Sequence, residues 1–135
     1  NSINSNLIKA LPDPSKVKIL GYRKDALNIV KASDVFVLPS IQGESLTKAV
    51  IEAMSLGITP LISDISGNRD LVIDGESGIV FPSKNPQAIA DGILFLFKNQ
   101  DKSKQLGNAA RKRIDSVFNL EKTVAGYEKL YKTLV

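Results

Sequence analysis

Four short apolar runs, at 17–20 (V-K-I-L), 35–38 (V-F-V-L), 59–62 (T-P-L-I) and 78–81 (G-I-V-F), alternate with stretches of helical periodicity. This alternation most constrains the fold. The runs are of strand length and lie among Gly, Pro, Asp and Ser residues, so they read as buried strands. Helices are expected over 24–32, 46–56, 68–72 and 86–97. Strands that alternate with helices lie parallel and are joined by right-handed crossovers, which predicts an α/β class with a parallel sheet and flanking helices.

The segment L-P-S-I-Q-G-E-S-L-T-K-A-V-I-E-A-M-S-L-G, residues 38–57, joins the second run to a helix. Leu46, Ala49, Val50, Ala53 and Met54 recur at offsets of three and four and predict an inward apolar face, with Lys48 and Glu52 outside. Ser45 is the expected N-cap and Gly57 the expected stop. A helix opening at Leu46 points the amides of Ser45, Leu46 and Thr47 outward, and its dipole adds positive charge there, which suits a phosphate. Glu44 and Glu52 lie eight residues apart, about 12 Å along an ideal helix axis. Carboxylates do not bind phosphate but accept from vicinal hydroxyls, so each suits a sugar at one end of a diphosphate. On spacing alone, two glutamates eight apart more often describe a solvated helix face.

The chain has 135 residues, 43% of them hydrophobic, enough for one core in a single soluble domain. There is no Cys, which excludes disulfides and thiolate metal sites and fits a reducing cytoplasm. There is no His and no D-x-D, so no divalent metal is expected. Its apolar runs are too short to span a bilayer. The net charge of +4 comes from helical Lys and Arg interleaved with acids, without the aromatic spacing that stacks bases, so a solvated surface rather than nucleic-acid binding is expected.

V-K-I-L-G (17–21), A-S-D-V-F-V-L-P-S (32–40), E-S-L-T-K-A-V-I-E-A-M (44–54), G-I-T-P-L-I-S (57–63), S-G-N-R-D-L-V (66–72) and D-G-E-S-G-I-V-F-P (74–82) follow one another in order. This ordered set resembles the group 1 retaining, nucleotide-sugar-dependent glycosyltransferases, the glycogen-synthase-like branch of the GT-B fold. The resemblance covers about residues 8–134. It implies a Rossmann-like domain, the C-terminal, donor-binding half of a larger enzyme that transfers a hexosyl group to a carbohydrate or lipid-linked acceptor. It implies a UDP-, GDP- or ADP-sugar as substrate, with Glu44 as the catalytic-site carboxylate and Tyr22, Arg23, Ser40, Ser45, Leu46, Thr47 and Glu52 as donor-binding residues. The turn after Gly21 would line the nucleobase, although Tyr22 and Arg23 equally suit an ordinary exposed turn. The family's Glu-Gly-Phe-Gly or Glu-Gly-x-Pro is here Glu44-Ser45-Leu46-Thr47, and its later Glu is here Asp70, which is left out of the expected site.

The resemblance also implies an acceptor-binding N-terminal domain and a first strand upstream. The basic pair that neutralises the leaving diphosphate would belong there, as would peripheral contact with the inner membrane face. The start of the chain agrees with this expectation: 7–11 reads as the end of a helix stopped by Pro12 and Pro14, and no Met opens the chain. Three alternatives fit the sequence less well. A GT-B epimerase or hydrolase needs acid–base residues that this half lacks, and a receiver domain using Asp64 needs an acidic pair after its first strand. A non-catalytic interaction domain has no need of both glutamates. The last third reads as structural: Ile89, Ile93, Leu94 and Phe97 are expected inward, as are Leu106, Ala110, Ile114 and Val117. A final helix after Asn119 is expected to bury Val124, Tyr127, Tyr131 and Leu134.

Overall fold

The computed structural model describes residues 11–42 and 47–134, with Leu134 described in its backbone alone. A 3-10 turn at Pro14–Lys16 precedes α1 (Ala26–Lys31), β1 (Val35–Leu38), α2 (Lys48–Ser55), β2 (Thr59–Ser63), α3 (Asn68–Leu71) and β3 (Ile79–Phe81). Three longer helices follow: α4 (Pro86–Lys98), α5 (Gln100–Val117) and α6 (Leu120–Leu134). The described strands form a parallel sheet in the order β1-β2-β3. Val35 pairs with Thr59 and Leu38 with Ile62, while Leu61 pairs with Ile79 and Ser63 with Phe81.

β2 is central and buried along its whole length, as expected of a strand covered on both faces. Ile62 joins a cluster with Val50 and Met54 of α2, Leu71 of α3, and Ala110 and Ile114 of α5. Leu61 lies under α4, where a Cβ on Gly92 would come 2.7 Å from Leu61 Cδ1. Thr59 Oγ1 donates to the Ser103 carbonyl of α5 at 2.6 Å. Just before β2, the Gly57 carbonyl meets α5 so closely that a Cβ on Gly107 would stand 2.2 Å from its oxygen. This contact draws the helix onto the sheet.

α2 ends as its sequence predicts. The Gly57 N–H donates to the Met54 carbonyl at 2.9 Å and the Ile58 N–H to the Ala53 carbonyl at 3.0 Å, with Gly57 at φ 76°, a Schellman stop. Its start differs from expectation. Thr47 is extended (φ −79°, ψ 113°) and caps a helix that opens at Lys48, two residues later than predicted. Val50, Ala53 and Met54 are buried as expected, but Ala49 is exposed.

Other expectations are corrected. The run 17–20 forms no strand, and Val17, Ile19 and Leu20 are about half exposed. A strand needs a hydrogen-bonded neighbour, and among the described residues this run has none. On α4 the inward residues are Gly92 and Leu96, while Ile93, Leu94 and Phe97 are exposed, because the helix rolls its glycine onto Leu61. On α5, Leu106, Ala110 and Ile114 are buried as expected and Val117 is not. On α6, Val124, Tyr127 and Tyr131 are exposed, with no described element covering them. The remaining elements match their predicted places to within one or two residues, and Asn85 caps α4 by accepting from the Ala88 N–H at 3.0 Å.

Candidate functional site

In an open parallel sheet, ligands bind beyond the carboxyl ends of the strands. Here those ends carry Pro39 and Ser40 after β1, Asp64 after β2, and Pro82 and Ser83 after β3. The described pairing of β1 with β2 ends at Leu38 with Ile62, two residues before Ser40 and Asp64. The Asp64 N–H donates to the Phe81 carbonyl at 2.7 Å, and the Ser83 hydroxyl donates to the Ser40 carbonyl at 3.2 Å. The three strand ends are thereby joined into one rim, with Ser40 on it.

α2 leaves this rim after β1. Val50 and Ile51 donate their amides to the Thr47 carbonyl at 3.0 and 3.2 Å, whereas Lys48 and Ala49 open the helix and have no acceptor within it. These two amides and the dipole form an electropositive helix end. Lys48 Nζ lies 3.5 Å from Glu52 Oε1, with side-chain exposures of 88% and 36%, so the outward face expected for this pair is observed. The short side chain of Thr47 makes no cap hydrogen bond. Glu44, Ser45 and Leu46 lie outside the described residues.

Tyr22 is 92% exposed beside Gly21, whose φ of 63° makes the turn. Arg23 forks onto Asp25, Nε to Oδ1 and Nη2 to Oδ2, both at 2.7 Å. This bridge holds the Asp25 carboxyl below the usual carboxylate range and raises Arg23. The hydrogen bonds of Arg23 thus run to its own neighbour and not to Ser40 or Glu52.

Sequence reasoning missed a second polar unit on the rim. Arg69 of α3 forks onto Asp64, Nε to Oδ1 and Nη2 to Oδ2, the latter at 2.7 Å. Its hydrogen bonds hold the Asp64 carboxyl below the usual range. α3 itself is pinned at both ends. Asn68 Nδ2 donates to the Ser63 carbonyl at 2.8 Å, while Arg113 of α5 donates from Nε to the Leu71 carbonyl and from Nη2 to the Asp70 carbonyl, both at 2.7 Å. The Arg113 guanidinium also lies 5.6 Å from the centre of the Phe118 ring. An acid directly after a strand and an Arg five residues on, across a Gly67 turn, is the signal that could have found the pair.

A groove of about 550 Å³, lined by Asp34, Ile58, Ile93, Leu96, Phe97 and Lys104 among others, lies at the opposite, amino ends of β1 and β2. Among the described residues there is no group of three His, Cys, Asp or Glu able to hold a metal ion, and no helix long and apolar enough to cross a membrane.

The family profile described as "Glycosyl transferases group 1" matches residues 4–113. An uncharacterized glycosyltransferase of Methanocaldococcus jannaschii is 36% identical over 110 residues, 82% of this chain and 28% of that protein. The UDP-Gal:alpha-D-GlcNAc-diphosphoundecaprenol alpha-1,3-galactosyltransferase of Escherichia coli is 32% identical over 120 residues, 89% of this chain and 30% of that protein. The crystal structure of a glycosyltransferase from Rickettsia africae superposes with a TM-score of 0.86 at 25% identity, covering 95% of this chain and 34% of that one. The chain spans less than a third of either curated relative.

Proposed function

The chain belongs to the group 1 glycosyltransferases, and from that premise we propose that it is the donor-binding domain of a retaining enzyme. That enzyme would move a hexosyl group from a nucleoside diphosphate to a hydroxyl of a carbohydrate or lipid-linked acceptor. One observation carries this reading: α2 opens at the carboxyl-end rim with Lys48 and Glu52 on its outward face. The E. coli relative, named for a UDP-galactose donor, supports the choice of substrate class.

In this reading the diphosphate meets the amides of Lys48 and Ala49, with the Lys48 ammonium adding charge and Thr47 at the turn. Glu52 accepts hydrogen bonds from ribose hydroxyls. Tyr22 and Arg23 border the base, Ser40 lines the rim, and Glu44, Ser45 and Leu46 take the donor-site roles that the resemblance implies, with Glu44 at the transferred sugar. As the anomeric C–O bond breaks, the electron pair leaves with the diphosphate, and the helix end stabilises the charge that develops there. The acceptor oxygen bonds to the anomeric carbon on the same face, and its proton passes to the departing phosphate oxygen. The protein contributes positioning and fixed electrostatics.

The acceptor-binding half belongs to the same cytoplasmic protein, facing the exposed apolar residues of α6, and any contact with the inner membrane face is made through that half. Calorimetric titration of the chain with UDP, GDP and ADP, with and without magnesium, tests the proposal. Metal-independent binding of one of them, weakened in Glu52→Ala, is expected; equal binding by the variant would remove Glu52 from the site.

A further inference from the structure

Arg69 and Asp64 form a polar pair on the rim, with side-chain exposures of 70% and 35%. Arg23 sits in a segment outside the sheet, and the Lys48 side chain is 88% exposed. Arg69, by contrast, stands on a helical turn pinned by Asn68 at one end and Arg113 at the other, and its own guanidinium is fixed by two bonds to Asp64. Asp64 directly follows the buried central strand, and its N–H donates to the Phe81 carbonyl of β3. Such double support is what holds a recognition group to a fraction of an ångström.

The bridge uses two of the guanidinium's N–H donors, Nε–H and one on Nη2, so among the described residues the Nη1 edge remains available. The carboxylate likewise retains lone pairs beyond those two bonds. The pair is neutral as a unit and offers an acceptor and a donor side by side, the pattern that two neighbouring hydroxyls complement. A diphosphate would be repelled by the ionised Asp64, and the end of α2 already suits it.

Resting on the donor-domain reading above, we propose that Asp64 and Arg69 read the transferred sugar, Asp64 accepting from one ring hydroxyl while Arg69 donates to the next. They are specificity-determining residues. They determine which hydroxyl configuration is held at the rim and take no part in bond breaking.

The test is titration of the chain and its Asp64→Asn and Arg69→Gln variants with UDP, GDP and ADP and with the glucose and galactose conjugates of each. Wild type is expected to bind a conjugate more tightly than its bare nucleotide. Each variant should bind that nucleotide as wild type does and lose about tenfold toward the conjugate. Unchanged conjugate binding in both variants would overturn the proposal. So would an equal loss toward the bare nucleotide, which would assign the pair to the phosphates or to the fold, or a wild-type conjugate bound no better than its nucleotide. Failure of wild type to bind any nucleotide would instead remove the donor-domain reading on which the proposal rests.

Discussion

Glu52 on α2 and the Asp64–Arg69 bridge after β2 lead to different predictions. Glu52→Ala removes acceptors for two hydroxyls from a partly exposed helix position, so nucleotide affinity should fall about tenfold while the thermal midpoint stays put. Calorimetry and a melting curve on the same sample separate the two effects. For Asp64, the Arg69 hydrogen bonds lower the carboxyl below its ordinary value of 3.8. A depressed carboxylate contributes stability that is present above the unfolded value and lost as pH falls through the folded one. The stability difference between wild type and Arg69→Gln should thus be level near neutrality and disappear in acid below 3.8. Urea midpoints measured across that range check this, and a difference that persisted at the acid end would contradict it.

Packing at the level of elements rests on two glycines with unequal tolerance. A Cβ at Gly107 would meet the Gly57 backbone oxygen at 2.2 Å, and neither partner can turn aside. Gly107→Ala should cost about 1–3 kcal/mol as α5 is levered from β2. At Gly92 the obstacle is Leu61 Cδ1 at 2.7 Å, the end of a side chain that can change rotamer, so Gly92→Ala should cost less; chemical denaturation of both variants gives the order. Arg113→Met removes the fork onto α3 and should speed amide hydrogen exchange at Val72, whose N–H closes that turn on the Asn68 carbonyl at 3.0 Å. The strands at 35–38, 59–62 and 78–81 were legible because short apolar runs bounded by turn residues have few other uses. The run 17–20 carries the same local signal, but pairing is a property of its neighbours, which composition does not encode. α4 misled for a related reason: its large apolar residues outnumber its glycine, yet the glycine decides which face lies closest to the sheet. On the rim, the helix after β1 was legible from its stripe and stop. Asp64–Arg69 was not, because the bridge depends on how α3 turns back over β2.

At the scale of the whole molecule, a small core carries a large apolar surface. Phe97, Leu120, Tyr127 and Tyr131 are all more than half exposed, and α6 offers its stripe to no described neighbour. Exposed apolar patches of this kind mark interaction surfaces. Substituting Tyr127 and Tyr131 with Glu should leave the melting temperature nearly unchanged and reduce concentration-dependent association, as read by sedimentation velocity. The basic balance of +4 should give any binding of an anionic nucleotide a measurable salt dependence. The central claim is that the rim at the start of α2 holds a nucleoside diphosphate without a metal. Calorimetric titration with UDP, GDP and ADP, in EDTA and again in magnesium, tests it most directly. Saturable binding of one nucleotide, equal in both conditions and weakened by Glu52→Ala, is the predicted result; binding that appears only with magnesium, or is indifferent to Glu52, would contradict it.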